Sequence, residues 1–156
     1  MLTITYDKVY SRFLSLVSAY DLKAKYESDA DTTKLLLDEW LISIKSDPKC
    51  RKLFSSIILD ETDRSITCVL SQSQGDDISD MDYIVELFGN GIAWKWVTPK
   101  YLSDLNAGII ITGREVQAAS QANHMAQLEK MYIETKMAFY RLIKNYVYIN
   151  NSYLKS

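Results

Sequence analysis

Glycine and proline are scarce in this chain, with five and two in 156 residues, and neither occurs from Gln117 to Ser156. The C-terminal third therefore has little to break regular structure. Cys50 and Cys68 are the only cysteines, their spacing does not suit a compact zinc site, and the single histidine, His124, lies far away in sequence. Two buried free thiols fit this pattern, and so few cysteines suit a reducing compartment. No basic block is present: 18 Lys and Arg stand against 20 Asp and Glu, a net charge of −2. That balance argues against an isolated duplex-binding domain, which needs clustered cations to displace counterions from phosphates. It leaves open a ring through whose channel DNA passes. No apolar run approaches the ~20 residues that span a bilayer. Met1–Thr5 also lacks the basic and apolar regions of an export signal, so neither a membrane span nor secretion is expected.

What is there fits a single globular domain over 1–156. The chain is 47% apolar and 24% charged, and long enough to bury a core without disulfides or metals. Leu128, Met131, Thr135, Ala138, Leu142 and Tyr146 recur every three or four residues, the period of one helix face. They predict a long helix opening at Ser120–His124 and running to about Tyr148, with an extended tail over about 147–156. A first helix is expected from Thr5 or Tyr6, its buried stripe running from Tyr6 and Val9 to Val17 and Tyr20. Asp31 is the expected cap of a second helix bearing Leu36, Leu37, Trp40, Leu41 and Ile44. Asp47-Pro48 signals a short third helix, with the aspartate as cap and proline in the first helical position. In the middle, Ser55–Leu59 and Ser65–Leu70 alternate and are rich in β-branched residues around the polar turn Asp60–Arg64, predicting a small β-hairpin or a pair of extended arms. Ser79 or Asp77 should cap the next helix, carrying Ile84, Leu87, Phe88, Ile92 and Trp96. Gly89 and Gly91 there imply close approach of another helix, and Pro99 a kink or restart. Asn106–Gly113 reads as an apolar loop. The expected fold class is mainly α: a helical bundle with a long C-terminal helix, a small central β element and an extended tail.

Candidate chemistry is thin. His124 titrates nearest neutral pH, and Ser120 sits four residues before it, but that pair lacks the turn, the orienting acid and the oxyanion donors of acyl transfer. A cap or an interhelical hydrogen bond is the better reading. Asp76, Asp77, Asp80 and Asp82 lack the order of a calcium loop and fit a helix's first turn. Gly89, Gly91, Gly108 and Gly113 do not form a phosphate loop. Trp94 and Trp96 diverge by about 200° on a helix and cannot make one stacking platform, so core packing for one and a subunit contact for the other is expected. Eleven tyrosines, with Tyr140, Tyr146, Tyr148 and Tyr153 near the C-terminus, suit an interface. No metal, cofactor or catalytic residue is assigned.

Several short motifs occur in a suggestive order. Tyr6, Asp7, Tyr10, Arg12, Phe13 and Leu14 open the chain, Arg51-Lys52-Leu53-Phe54-Ser55 follows, then Trp94, Trp96 and Pro99, then Ser120–His124 before the last helix. Over about Thr3 to Tyr148 this order resembles the head–tail connector (neck adaptor) proteins of tailed bacteriophages. The resemblance implies a non-enzymatic virion subunit that forms a homo-oligomeric, dodecameric ring beneath the portal protein, assembled in the bacterial host cytoplasm. Such a ring extends the DNA channel without sequence-specific contact to the packaged double-stranded DNA, and it gives the stopper or tail-terminator protein its platform. The portal-docking tail would carry Lys144, Tyr146, Tyr148, Ile149, Tyr153, Leu154 and Lys155. Ring-to-ring contacts would come from Ile57, Ile58, Ile66 and Val69 in the hairpin and from Ile109, Ile110 and Ile111. The alternatives are a tail-completion or terminator protein, whose folds are richer in β-structure, and a helical regulatory or DNA-binding module.

Overall fold

The computed structural model describes residues 1–73, 75–108 and 115–149, and the side chains within these outside 106–108, 115–121 and 147–149. Among them the chain is mainly α, with six helices and one three-stranded antiparallel sheet. The order is β1 (Leu2–Thr5), α1 (Tyr6–Ala19), α2 (Lys23–Ser28), α3 (Ala30–Ser46), α4 (Pro48–Arg51), β2 (Phe54–Asp60), β3 (Ser65–Leu70), α5 (Asp77–Gly108) and α6 (Glu115–Ile149).

The hairpin reading of the middle holds and is extended. Beside the β2–β3 hairpin, Leu2–Thr5 forms a third strand rather than a leader to the first helix, giving the order β1-β3-β2 with Leu2 opposite Cys68 and Ile4 opposite Ile66. Strand alternation explains the sheet's two faces. Leu2, Ile4, Ile57, Ile66 and Cys68 point into the core, while Thr3, Ile58 and Val69 face outward. The β2–β3 turn is set by Asp60, whose Oδ1 accepts from the N–H groups of Thr62 and Asp63 at 2.8 and 2.9 Å. It closes at Arg64, a non-glycine residue at φ 49°. Arg64 is held there from several sides. Its carbonyl accepts from the Tyr6 N–H at 2.9 Å, and its guanidinium lies 5.1 Å from the Tyr6 ring centroid and 3.0 Å from Asp38 on α3. Tyr10 donates to the same carboxylate at 2.5 Å. One cation thus ties the sheet's turn to α1 and α3.

Helix α5 is the centre of the bundle and packs against α1, α3 and α6. Its glycines do what their positions imply. An added Cβ at Gly89 would lie 2.6 Å from Arg12 Cγ on α1, and one at Gly91 would lie 2.8 Å from Ile44 Cδ1 on α3. Pro99 neither ends nor restarts the helix. The carbonyls of Trp94 and Trp96 near the break receive side-chain donors, from Thr98 Oγ1 at 2.6 Å and from Lys100 Nζ at 3.3 Å. Helix α5 also includes 106–108, the first residues of the expected apolar loop, and the rest of that stretch, Ile109, Ile110 and Ile111 included, lies outside the described residues.

Two expected caps move. Helix α3 starts before Asp31, with Asp29 at the cap position and its carboxylate engaged by Lys100 Nζ at 2.7 Å and the Thr33 hydroxyl at 3.3 Å. At α5 the capping side chain is Asp76, which accepts from the Ser79 N–H at 2.8 Å, rather than Asp77 or Ser79. The Asp47 cap of α4 is as expected, accepting from the N–H groups of Lys49 and Cys50 at 2.9 and 3.1 Å, with Pro48 in the first turn.

The inner face of α6 buries Leu128, Met131, Thr135 and Tyr146 of the stripe read from sequence, whereas Ala138 and Leu142 are only half-buried and Phe139 and Ile143 take the core positions beside them. The helix itself begins at Glu115, before Ser120, and continues to Ile149, so 147–149 are helical rather than part of an extended tail. Residues 150–156 lie outside the described residues.

Candidate functional site

Besides Leu102 and Leu105 on α5, two outward helix faces carry pairs of large apolar side chains that the fold does not cover. On α6, Ile133 and Met137 are 44% and 52% exposed, and both lie opposite the buried stripe. With Tyr132, Lys136, Tyr140, Arg141 and Lys144 they line an open groove with a volume of 660 Å³. The aromatic bed beneath it is fixed from within. Tyr140 donates to Asp47 Oδ2 at 3.2 Å and lies 5.7 Å, ring to ring, from Trp94, which also packs on Phe139 at 5.9 Å. Lys136 Nζ stands 5.8 Å from the ring centroids of both Trp94 and Tyr132, and Tyr132 stacks on Tyr101 at 5.1 Å. Burial, with the nearby Asp47 carboxylate, raises the Tyr140 phenol above its ordinary pKa, so the ring's polar tip stays neutral and hydrogen-bonded at physiological pH.

The groove is basic. From residue 135 to the C-terminus the sequence holds Lys136, Arg141 and Lys144 on this helix and no Asp or Glu. Glu134, just before that stretch, accepts from the Tyr20 hydroxyl at 2.6 Å.

The second face is on α3. Leu35 and Ile42 are 79% and 46% exposed, two turns apart, and Asp31 and Glu39 are exposed along the same line. Asp38 is not available to it, because Arg64 and Tyr10 hold its carboxylate. Burial alone would raise Asp38, but those hydrogen bonds and the Arg64 charge outweigh it and hold the carboxyl below the usual range. Helices α3 and α6 share α5 as their common packing partner, and both stripes point away from it.

No family model matches the chain, and no curated protein or solved structure matches it either. The residues themselves therefore carry the functional reading.

The residues singled out from sequence fall into three groups. Lys144 is exposed beside the α6 groove, and Ile58 and Val69 are exposed together on the sheet's outer face, at 62% and 37%. Tyr146, Ile57 and Ile66 are instead core residues. Tyr146 stacks on Tyr83 at 5.3 Å, accepts from the Gln72 N–H at 2.7 Å and donates to the Gln72 carbonyl, so it anchors α6 to the chain's own loop and not to a partner. Ile57 and Ile66 belong to the inward face of their strands, which is why only their outward neighbours can meet another ring. Tyr148 and Ile149 are helical, with side chains outside those described. Tyr153, Leu154, Lys155, Ile109, Ile110 and Ile111 lie outside the described residues altogether.

Both tryptophans are used within the chain. Trp96 is fully buried, donates to Thr33 Oγ1 at 3.2 Å and meets Phe13 edge-on at 5.8 Å. Trp94 is partly buried and packs on Phe139 and Tyr140 of α6. His124 is partly buried on α6, while Ser120 is among the residues whose side chains are not described. Among the described residues no His, Cys, Asp or Glu cluster has metal-binding geometry, and no helix is long and apolar enough to cross a membrane. Asp80, one of the four aspartates near the start of α5, is buried and accepts from Ser73 Oγ at 2.8 Å.

Sequence reasoning passed over the pairs Leu35/Ile42 and Ile133/Met137. The signal was present: each pair keeps helical spacing but runs out of phase with the core stripe of its own helix.

Proposed function

We propose that this chain is a ring-forming structural subunit of a tailed-phage neck. In this reading it is a head–tail adaptor that docks on the portal, extends the DNA channel and presents the platform for tail attachment. The observation that carries the reading is the pair of uncovered apolar stripes, on α3 and α6, on helices that both pack on α5 and face away from it. A subunit with two different sticky faces closes into a ring when copies meet head to tail, because each face is then covered by the other. Exposed side chains of this size, with charge arranged around them, suit contact with protein more than solvent. The mainly helical fold favours the adaptor over a tail-completion or terminator protein, whose folds are richer in β-structure. The net charge of −2 favours both over a DNA-binding regulator.

The function is structural rather than enzymatic. The portal would be engaged through residues near the end of α6 and beyond it, with Lys144 exposed there and Tyr148, Ile149, Tyr153, Leu154 and Lys155 following. Ile58 and Val69 on the sheet are the surface offered to an adjoining ring.

The test is co-assembly with the cognate portal, comparing the full chain with one ending at Ile149, by mass photometry. Ending at Ile149 spares Tyr146 and its contacts to Gln72, so the shortened chain keeps its core. A stoichiometric complex that needs 150–156 establishes the adaptor reading and its anchor. No association of the full chain with intact portal refutes the adaptor reading and moves the assignment to the tail side of the neck.

A further inference from the structure

We propose that the outward face of α6 in one copy packs antiparallel onto the outward face of α3 in the next, and that this pairing is the repeating contact of the assembly. The inference rests on the ring-forming reading and names the two surfaces that build the ring.

Charge decides the partner. The α6 groove is ringed by Lys136, Arg141 and Lys144, with no acidic residue from 135 onward, so a cationic or charge-neutral occupant gains nothing there. The α3 stripe supplies the opposite pattern: exposed Asp31 and Glu39 flank exposed Leu35 and Ile42. The chain's own residues beyond 149 carry Lys155 and no acid, so they do not match the groove.

Spacing decides the direction. At about 1.5 Å of rise per residue, Ile133 to Lys144 and Asp31 to Ile42 both span about 16.5 Å. With Ile42 placed on Ile133 and the helices antiparallel, Glu39 arrives beside Lys136, Leu35 beside Tyr140 and Asp31 beside Lys144. The parallel alternative, with Leu35 on Ile133, sets Asp31 against Glu129 and loses the charge match. Two different surfaces are joined, so the contact is heterologous and propagates until it closes. Opposite charges around an apolar centre fix register and exclude self-pairing of either face, since α6 against α6 would set cation on cation.

The test is disulfide trapping with the full chain, comparing Ile42→Cys, Ile133→Cys and an equimolar mixture of the two under copper–phenanthroline oxidation. Cys50 and Cys68 are buried and do not compete. Circular dichroism first confirms that each variant is folded; both positions are exposed, so folding should be unaffected. The mixture is expected to give a cross-linked dimer that neither variant gives alone, and one chain carrying both cysteines should give a ladder of higher oligomers. Adding Glu39→Lys to the first variant should lower the dimer yield about fivefold, and Lys136→Glu in the second should restore it. Equal cross-linking of a single variant with itself, or no cross-link in the mixture with or without portal, overturns the pairing. The two proposals fail separately. Portal binding without the mixed cross-link removes this interface and leaves the adaptor, whereas the mixed cross-link without portal binding does the reverse.

Discussion

Replacing Gly91 by alanine sets two opposing effects against each other inside one helix. Alanine is favoured over glycine in a helix interior by about 1 kcal/mol, so on propensity alone Gly91→Ala should stabilise α5. The structure predicts the opposite sign. The new methyl carbon would sit 2.8 Å from Ile44 Cδ1, 3.1 Å from Cγ1 and 3.3 Å from Cγ2. Ile44 is 1% exposed and branched at Cβ, so it cannot swing away. Overpacking of a well-filled core costs about 1–3 kcal/mol, which exceeds the propensity gain over most of its range. A net loss of up to about 2 kcal/mol is expected, or up to about 8 °C in Tm for a chain of this size. Urea unfolding followed by circular dichroism measures it, and an unchanged m-value shows that the native state alone was altered. The cause is isolated by adding Ile44→Val, which deletes the nearest carbon. That change alone costs about 0.5–1.5 kcal/mol, but the double variant should be more stable than the sum of the singles by about 1 kcal/mol. A Gly91→Ala protein more stable than the parent, or strict additivity in the double variant, would refute close α3–α5 approach as the reason for this glycine.

Asp47→Ala removes the cap of α4 and the acceptor of the Tyr140 hydroxyl together, so a loss of at least about 1 kcal/mol is expected by the same assay, most of it recovered in Asp47→Asn. Burial pushes the Cys50 thiol up to about 12 and the Cys68 thiol up to about 11. Neither should react with Ellman's reagent in the native state, and both should react once the chain is unfolded in urea; prompt native-state labelling would contradict the core described above. Acid should destabilise the fold. Asp29, held low by the Lys100 hydrogen bond against a smaller effect of burial, and Asp38 both lie below their unfolded values when folded. Their stabilisation is present above about pH 4 and is lost as pH falls through the folded values. Asp38→Asn should flatten the fall in Tm below about pH 4, and an unchanged acid limb would count against the Arg64–Asp38–Tyr10 cluster. At the other end, burial and the hydrogen bond to Glu134 push Tyr20 up to about 12, so its neutral form favours the fold up to about pH 10, and that contribution is lost as pH rises towards 12.

The helices were legible because their signals are local. The stripe Leu128, Met131, Thr135 and Tyr146, the Asp47-Pro48 start and the paired glycines each act within a few residues or state a steric fact directly. What escaped depends on partners distant in sequence. Leu2–Thr5 is too short to declare itself a strand, and it becomes one only by pairing with Ser65–Cys68. Tyr146 looked like an anchor for another protein because nothing nearby in sequence shows that Gln72 and Tyr83 wait for it. Pro99 looked like a break because the donors that cover its surroundings, Thr98 and Lys100, are side chains whose reach a pattern does not record. The outward stripes on α3 and α6 were masked by stronger core stripes on the same helices.

Strand β1 also has a consequence for how the chain is made. Among the described elements it is made first, and its partner residue Cys68 is added 66 positions after Leu2. At synthesis rates of about 5–20 residues per second, that gap lasts roughly 3–13 s. For those seconds Leu2 and Ile4 belong to an unpaired apolar edge while α1 and α3 are already able to form behind them. The sheet can close only after α1 and α3 have been made and before α5 and α6 follow, so a pause in translation before Cys68 would prolong the interval in which this edge is open to mispairing.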